Sequence, residues 1–346
     1  MSRRYLLFAN QLYAYSILRP LQAAIRRRGD QVAWFVHGTD AGYLQADEQR
    51  LDSVAAVRRF RPDAVLTAAN WVPDFFPGLK VEVFHGFNAL KREADVGHFR
   101  IRGLFDLYCT QGPSTTGPFR ELARQHGYFA VVETGWPKVD PLFDPQAPDW
   151  RRGRRIDKPV VLYTSTFSHR LTSAPILREE IARLSGTGRW HWLVTLHPKM
   201  ARETVEAYRA MQGPNLDFCE TDDVLPLLRG ADAMVCDTSS ILFEFMLLDK
   251  PVVTFRHRQP GPQMLDIAEV EALEPAVEQA LQRPPGLLDA ASAFCDRMHP
   301  YRDGRSSERV LEAVESMLAE PPPLKSKPLN LWRRLSMRRE LGYWRC

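Results

Sequence analysis

A chain of 346 residues, 45% hydrophobic and 25% charged, exceeds one ordinary core, suits two domains of about 150 residues each, and has too much apolar content for a disordered protein. No run approaches the roughly 20 apolar residues of a spanning helix, no cleavable signal follows Met1-Ser2-Arg3-Arg4, and the five scattered cysteines form no CxxC pair, so a cytoplasmic protein without zinc or disulfides is expected. The net charge of +4 divides into +6 on residues 321–346 and −2 on the rest, which gives the body no reason to bind nucleic acid.

Residues 5–9 are a buried-strand run, 12–28 place Ile17, Leu18, Leu21 and Ile25 at helical spacing until Gly29, and 31–36 form the next strand, together a βαβ unit. Strands at 64–67, 81–84, 107–110 and 131–134 extend this into an open α/β half. Residues 144–159, rich in proline and arginine, mark an interdomain break. The second half alternates strands at 160–164, 190–196, 233–236 and 252–255 with helices near 176–184, 201–211 and 239–248. The expected division is a first domain over 1–145, a linker over 146–158, a second domain over 159–320 and a basic amphipathic tail over 321–346.

Ligands of open parallel sheets bind beyond the carboxyl ends of the strands, so polar residues there are the candidates for chemistry. Asp237-Thr238-Ser239-Ser240 leads from a strand into an apolar helix containing Glu244, a geometry that suits a phosphate; capping by Asp237 or Ser239 is the alternative. His85 closes another strand, before Gly86, and has the right chemistry for a general base, although a lone histidine is more often structural. His197 and Lys199 follow a strand of the second half and are suited to neutralising phosphate charge, and Thr164 and Thr166 end the first strand of that half. Near the end, Asp303-Gly304-Arg305-Ser306 precedes a helix, as a cap or as a loop over a donor. The tail mixes Trp332, Leu331 and Leu335 with arginine pairs; it reads either as a contact for an anionic membrane surface or as a strap on the body.

Taken in order, these residues resemble the CDP-glycerol glycerophosphotransferase family of teichoic-acid-like and capsular polymer assembly, over about 85–309. His85-Gly86-Phe87-Asn88-Ala89-Leu90-Lys91 is similar to the family's HGTPLK, Thr134-Gly135-Trp136-Pro137-Lys138-Val139-Asp140 to its TGYPRND, Asp237-Thr238-Ser239-Ser240 to its DYSS, and 303–309 to its DGKASER. The chain departs from the pattern at Phe87-Asn88-Ala89 and at Thr238, which replaces a tyrosine.

The resemblance implies a GT-B fold, two Rossmann-like domains with parallel sheets facing across a cleft. It implies transfer of glycerol phosphate from CDP-glycerol to a hydroxyl of a glycan or lipid-linked acceptor, with release of CMP and no cofactor or metal. His85 would then be the base, His197 and Lys199 would stabilise the transferring phosphate, and Thr164, Thr166, Asp237, Thr238, Ser239 and Ser240 would line the diphosphate. Glu244, Asp303 and Ser306 would hold the donor, and Asn88 and Lys91 would face the acceptor. The shorter N-terminal region leads to an expectation of single addition rather than polymerisation, on the inner face of the cytoplasmic membrane. The competing readings are a GT-B glycosyltransferase using a nucleotide-sugar, an enzyme resembling UDP-N-acetylglucosamine 2-epimerase, and a scaffold without activity.

Overall fold

The apolar runs fold into two six-stranded parallel sheets in a computed structural model that describes residues 2–87, 99–221 and 223–344. The chain divides into one unit of Met1–Phe143 with Arg297–Cys346 and another of Asp144–Asp296.

The first sheet runs β2-β1-β3-β4-β5-β6, with β1 Arg4–Ala9, β2 Gln31–Val36, β3 Ala64–Thr67, β4 Leu79–Glu82, β5 Leu107–Thr110 and β6 Ala130–Glu133. Tyr5 through Ala9 are fully buried, which is why β1 reads as a continuous apolar run: helices cover both faces of a parallel sheet. The crossover helix α1 (Ala14–Arg27) buries Ile17, Leu18, Leu21 and Ile25, the side chains at helical spacing. Its basic last turn suits the negative end of the helix dipole. Phe8 pairs with Thr67, Thr67 with Glu82 and Glu82 with Tyr108, so the carboxyl ends of β1, β3, β4 and β5 share one edge.

The second sheet runs β12-β11-β10-β7-β8-β9, with β7 Val160–Ser165, β8 His191–Leu196, β9 Leu216–Phe218, β10 Ala233–Cys236, β11 Val252–Phe255 and β12 Leu265–Ile267. The three-residue edge strands β9 and β12 are absent from the sequence expectation because so short a run shows no periodicity.

The expected domain limits need two corrections. Residues 146–158 are packed chain rather than a linker: Trp150 is buried, its amide donates to the Pro226 carbonyl at 3.0 Å, and the Arg154 guanidinium lies 4.5 Å over its ring. Residues 297–320, expected in the second domain, return to the first. The helix α2 (Ser306–Ala319) starts on Asp140, whose carboxylate accepts from the Ser306 and Ser307 amides at 2.8 and 2.7 Å. Arg28, just past the end of α1, reaches Glu315 of α2 at 2.9 Å. The tail continues as a strap on the same unit, with Lys327 Nζ 2.6 Å from Asp106 and Met337 of α3 (Leu331–Glu340) buried.

Candidate functional site

In the first unit β4 stops at Glu82, two residues before the expected end, because the chain turns sharply at Phe84. Phe84 adopts φ +60°, a left-handed conformation that is an outlier for a bulky side chain and costs on the order of 1–3 kcal/mol. It is held by its surroundings: the ring is buried edge-on to Phe119 at 5.0 Å, and its carbonyl accepts from the Trp136 indole at 3.3 Å. The turn presents His85, half-buried at the strand-end edge. His85 Nδ1 lies 3.1 Å from the Ala68 carbonyl. A carbonyl only accepts, so Nδ1 carries a proton, which in the neutral ring puts the lone pair on Nε2. Tyr13 stacks on the imidazole at 5.1 Å and 25°. Asn88 and Lys91 lie outside the described residues.

The Thr134–Asp140 segment connects this turn to the returning chain. Gly135 has φ +82°, and a Cβ there would meet Ser306 Oγ at 2.5 Å, so the position requires glycine. The Trp136 amide donates to His299 Nε2 at 2.9 Å, and its ring packs edge-on against Phe87 at 4.8 Å. Burial pushes the His299 imidazole down to about 4 and keeps it neutral. Ser306 and Asp303, expected at the donor, have fold partners in this unit. The Ser306 amide donates to Asp140, while Asp303 accepts from the Arg305 amide at 3.1 Å and pairs with Arg309.

In the second unit the turn after β10 separates into inward and outward parts. Asp237 is fully buried and accepts from Ser165 Oγ at 2.5 Å, the Thr166 amide at 3.0 Å, the Ser173 amide at 3.0 Å and Ser173 Oγ at 3.1 Å. It therefore shapes the loop after β7. Burial raises its pKa, opposed by those four donors. Thr238 Oγ1 accepts from the Arg258 amide at 3.1 Å, Ser239 is half-buried, and Ser240 is exposed with no side-chain cap to the short helix Ile241–Met246. Glu244, within that helix, is buried. Thr164 is buried, and its hydroxyl has no hydrogen-bond partner among the described residues.

His197 follows β8, is exposed, and has the opposite tautomer to His85. Its Nδ1 accepts from the Lys199 amide at 3.0 Å, so the neutral ring carries its hydrogen on Nε2. Partial burial and then the Lys199 charge lower its pKa. Phe167, from the loop after β7, packs on the ring at 4.3 Å, with Lys199 Nζ 5.8 Å from the same phenyl. A cavity of about 660 Å³ opens beside His197, lined by Pro198, Arg202, Phe218 and Glu220 among others.

Tyr13 and Arg258 are absent from the sequence candidates, although each follows a strand closely enough for the strand-end rule to have flagged it. No local signal marks the Ala68 carbonyl.

Residues 106–260 match the model of the family described as CDP-Glycerol:Poly(glycerophosphate) glycerophosphotransferase. Two curated relatives come from Staphylococcus aureus (strain NCTC 8325 / PS 47). The teichoic acid ribitol-phosphate polymerase TarK is 24% identical over 206 residues, covering 53% of this chain and 40% of the relative. For the teichoic acid ribitol-phosphate polymerase TarL the figures are 25% over 207 residues, 52% and 36%. The match thus spans about two fifths of the length of these relatives. Among solved structures, the wall teichoic acid polymerase TagF is similar with a TM-score of 0.65 at 14% identity, covering 92% of this chain and 89% of that one. The S. aureus MnaA-UDP co-structure reaches 0.65 at 14% identity, over 94% and 100%. These likenesses show the fold, two Rossmann-like halves of the GT-B class.

Proposed function

Starting from a chain that carries a domain of the CDP-glycerol:poly(glycerophosphate) glycerophosphotransferase family, we propose that it transfers glycerol phosphate from CDP-glycerol to a hydroxyl of a cell-envelope glycan or lipid-linked acceptor and releases CMP. The reading rests on the family match over residues 106–260, with His85 and His197 each following a strand of its own unit. His85, with its lone pair on Nε2, suits a base, and His197, with hydrogen on Nε2, suits a donor to phosphate oxygen. In the proposed step the acceptor hydroxyl gives its proton to His85 Nε2 as its oxygen bonds to the glycerol-bearing phosphorus. The bond from that phosphorus to the bridging oxygen breaks, and CMP leaves with the electron pair. In the second unit His197 and Lys199 suit the neutralising of phosphate charge, and a step of this kind needs no metal. Thr164, Ser239, Ser240 and the Arg258 side chain supply the other donor contacts. Thr166, Asp237, Thr238, Asp303 and Ser306 support the fold around them, and Glu244 is read on the donor side, as the resemblance implies.

Among the described residues no helix is long and apolar enough to cross a membrane. We place the enzyme at the inner face of the cytoplasmic membrane, where a lipid-linked acceptor would be met. A second donor, CDP-ribitol, is favoured by the two ribitol-phosphate polymerase relatives.

Thermal shift with CDP-glycerol, CDP-ribitol, CMP, UDP and UDP-sugars tests the reading, since a ligand at a hundred times its Kd stabilises the native state by about 2.7 kcal/mol. The largest shift is expected with CDP-glycerol. A larger one with CDP-ribitol changes the transferred group, and preference for a UDP-sugar replaces the reading with glycosyl transfer.

A further inference from the structure

Within the second unit, the turn after β11 repeats the arrangement found after β8. His197 Nδ1 accepts from the amide two residues on, and His257 Nδ1 accepts in the same way from the Gln259 amide at 3.1 Å, so each neutral ring carries its hydrogen on Nε2. A cation accompanies each histidine, Lys199 with His197 and Arg258 with His257. The β11 turn is tied down on both sides. Asp266 of β12 accepts from the His257 amide at 2.9 Å and from the Thr254 hydroxyl at 2.7 Å, while Thr238 Oγ1 of the β10 turn accepts from the Arg258 amide at 3.1 Å. Arg256 adopts φ +49°, a left-handed conformation that costs free energy and persists where the surroundings fix the turn. Arg258 is exposed, and among the described residues neither its guanidinium nor His257 Nε2 has a hydrogen-bond or carboxylate partner.

The sheet order β11-β10-β7-β8 sets these two basic pairs on opposite sides of the turn that carries Thr238, Ser239 and Ser240. Three strand spacings, about 14 Å, separate their strands, too far for one pair to stand in for the other on a single phosphate. We propose that His257 and Arg258 hold the phosphate of the departing CMP, while His197 and Lys199 hold the phosphate that is transferred. This inference rests on the reading above, which supplies the leaving group. As the acceptor oxygen bonds to the glycerol-bearing phosphorus, the bond from that phosphorus to the bridging oxygen breaks, and the CMP phosphate takes the electron pair and one more negative charge. The Nε2–H of His257 donates to that oxygen, and the permanently charged, planar guanidinium of Arg258 donates to the phosphate in a fork. Donors fixed before the charge develops stabilise the transition state more than the bound substrate. Thr238 is the positioning residue of this pair, because its hydroxyl holds the Arg258 amide. A tyrosine, the residue of the family pattern, carries its oxygen at the far end of a ring and would not make that short bond.

The test is calorimetric titration of the full chain with CMP and with cytidine, in the wild type and in His257→Gln, Arg258→Gln and Lys199→Gln. The first two variants should each bind CMP about tenfold more weakly and cytidine as the wild type does, since only the phosphate contact is lost. Lys199→Gln should leave CMP affinity close to that of the wild type. Turnover of CDP-glycerol should fall about a hundredfold in His257→Gln with donor KM nearly unchanged, the mark of a contact that strengthens as the bond breaks. Thr238→Val should weaken CMP and spare cytidine, and Thr238→Ser, which restores the hydroxyl, should recover the loss. Wild-type CMP affinity in both glutamine variants would overturn the proposal, as would an equal loss of cytidine, which would make the turn a support of the nucleoside site. A loss of CMP affinity in Lys199→Gln as large as theirs would overturn the division of the two phosphates. Preference of the wild type for UMP over CMP would replace the donor reading alone, and the same variants titrated with UMP would then decide the role of His257 and Arg258. Binding of neither nucleotide would overturn both.

Discussion

His85 and His197 carry the same ring and differ in which nitrogen holds the proton, and that difference comes from one backbone group each. The Ala68 carbonyl fixes the proton of His85 on Nδ1, and the Lys199 amide fixes the lone pair of His197 there. A general base contributes about 10²–10⁴-fold to such a step, so His85→Ala should lower turnover by roughly a hundredfold or more with CDP-glycerol affinity nearly unchanged. Tyr13 tests the positioning of the ring. Tyr13→Phe, which keeps the stack, should retain activity, and Tyr13→Ala should lose about tenfold in kcat at constant nucleotide affinity. Steady-state kinetics beside nucleotide titration measures both; equal losses in the two variants would assign the effect to the hydroxyl. The residue types at these positions were legible in the sequence, since polar side chains after strands are few. Their protonation was not, because the deciding carbonyl of Ala68 belongs to a neighbouring strand end and has no side-chain signature.

The Thr134–Asp140 segment is the element that makes the turn at His85 stable. Its tryptophan amide is satisfied by His299, its indole holds the carbonyl of strained Phe84, and its aspartate receives the first amides of α2. The acceptor role of His299 requires a neutral ring, which fits its displacement from about 6.5 to about 4 by burial. Because the folded value lies below the unfolded one, this contribution is fully present above about pH 6.5 and is lost as pH falls toward 4. The loss approaches about 3 kcal/mol below both values. Urea unfolding between neutral and acidic pH should show that slope in the wild type. His299→Gln, which keeps an acceptor for the Trp136 amide, should flatten it, and an unaltered slope would assign the acid sensitivity elsewhere. The motif's seven residues were visible as a family-like run, but their task depends on His299 and Ser306, more than 150 positions away.

At the scale of the whole molecule, the chain leaves the first unit at Asp144, completes the second, and returns at Arg297 to finish the first. A chain ended after Glu320 would keep α2 on Asp140 and lose the strap, with the Lys327–Asp106 pair and the burial of Met337. Burying one methionine contributes about 1.5–3 kcal/mol, so the first unit should melt roughly 5 °C lower or more, with the second unit unmoved. Calorimetry with unit-specific proteolysis reads both, and a single transition moving as a whole would show that the units unfold together. What the sequence determined by itself was local. It held the parallel strands, the α1 face, and the polar residues that end β4, β7, β8 and β10, because burial on both faces of a sheet writes apolar runs directly into the chain. Only the tertiary structure decided that Asp237 turns inward to four donors, that Ser306 serves Asp140, and that α3 is bolted down through Met337 and Arg334. Each of these depends on partners distant in sequence, and hydrogen bonding and burial are set by what folding brings near, which periodicity along one segment does not encode.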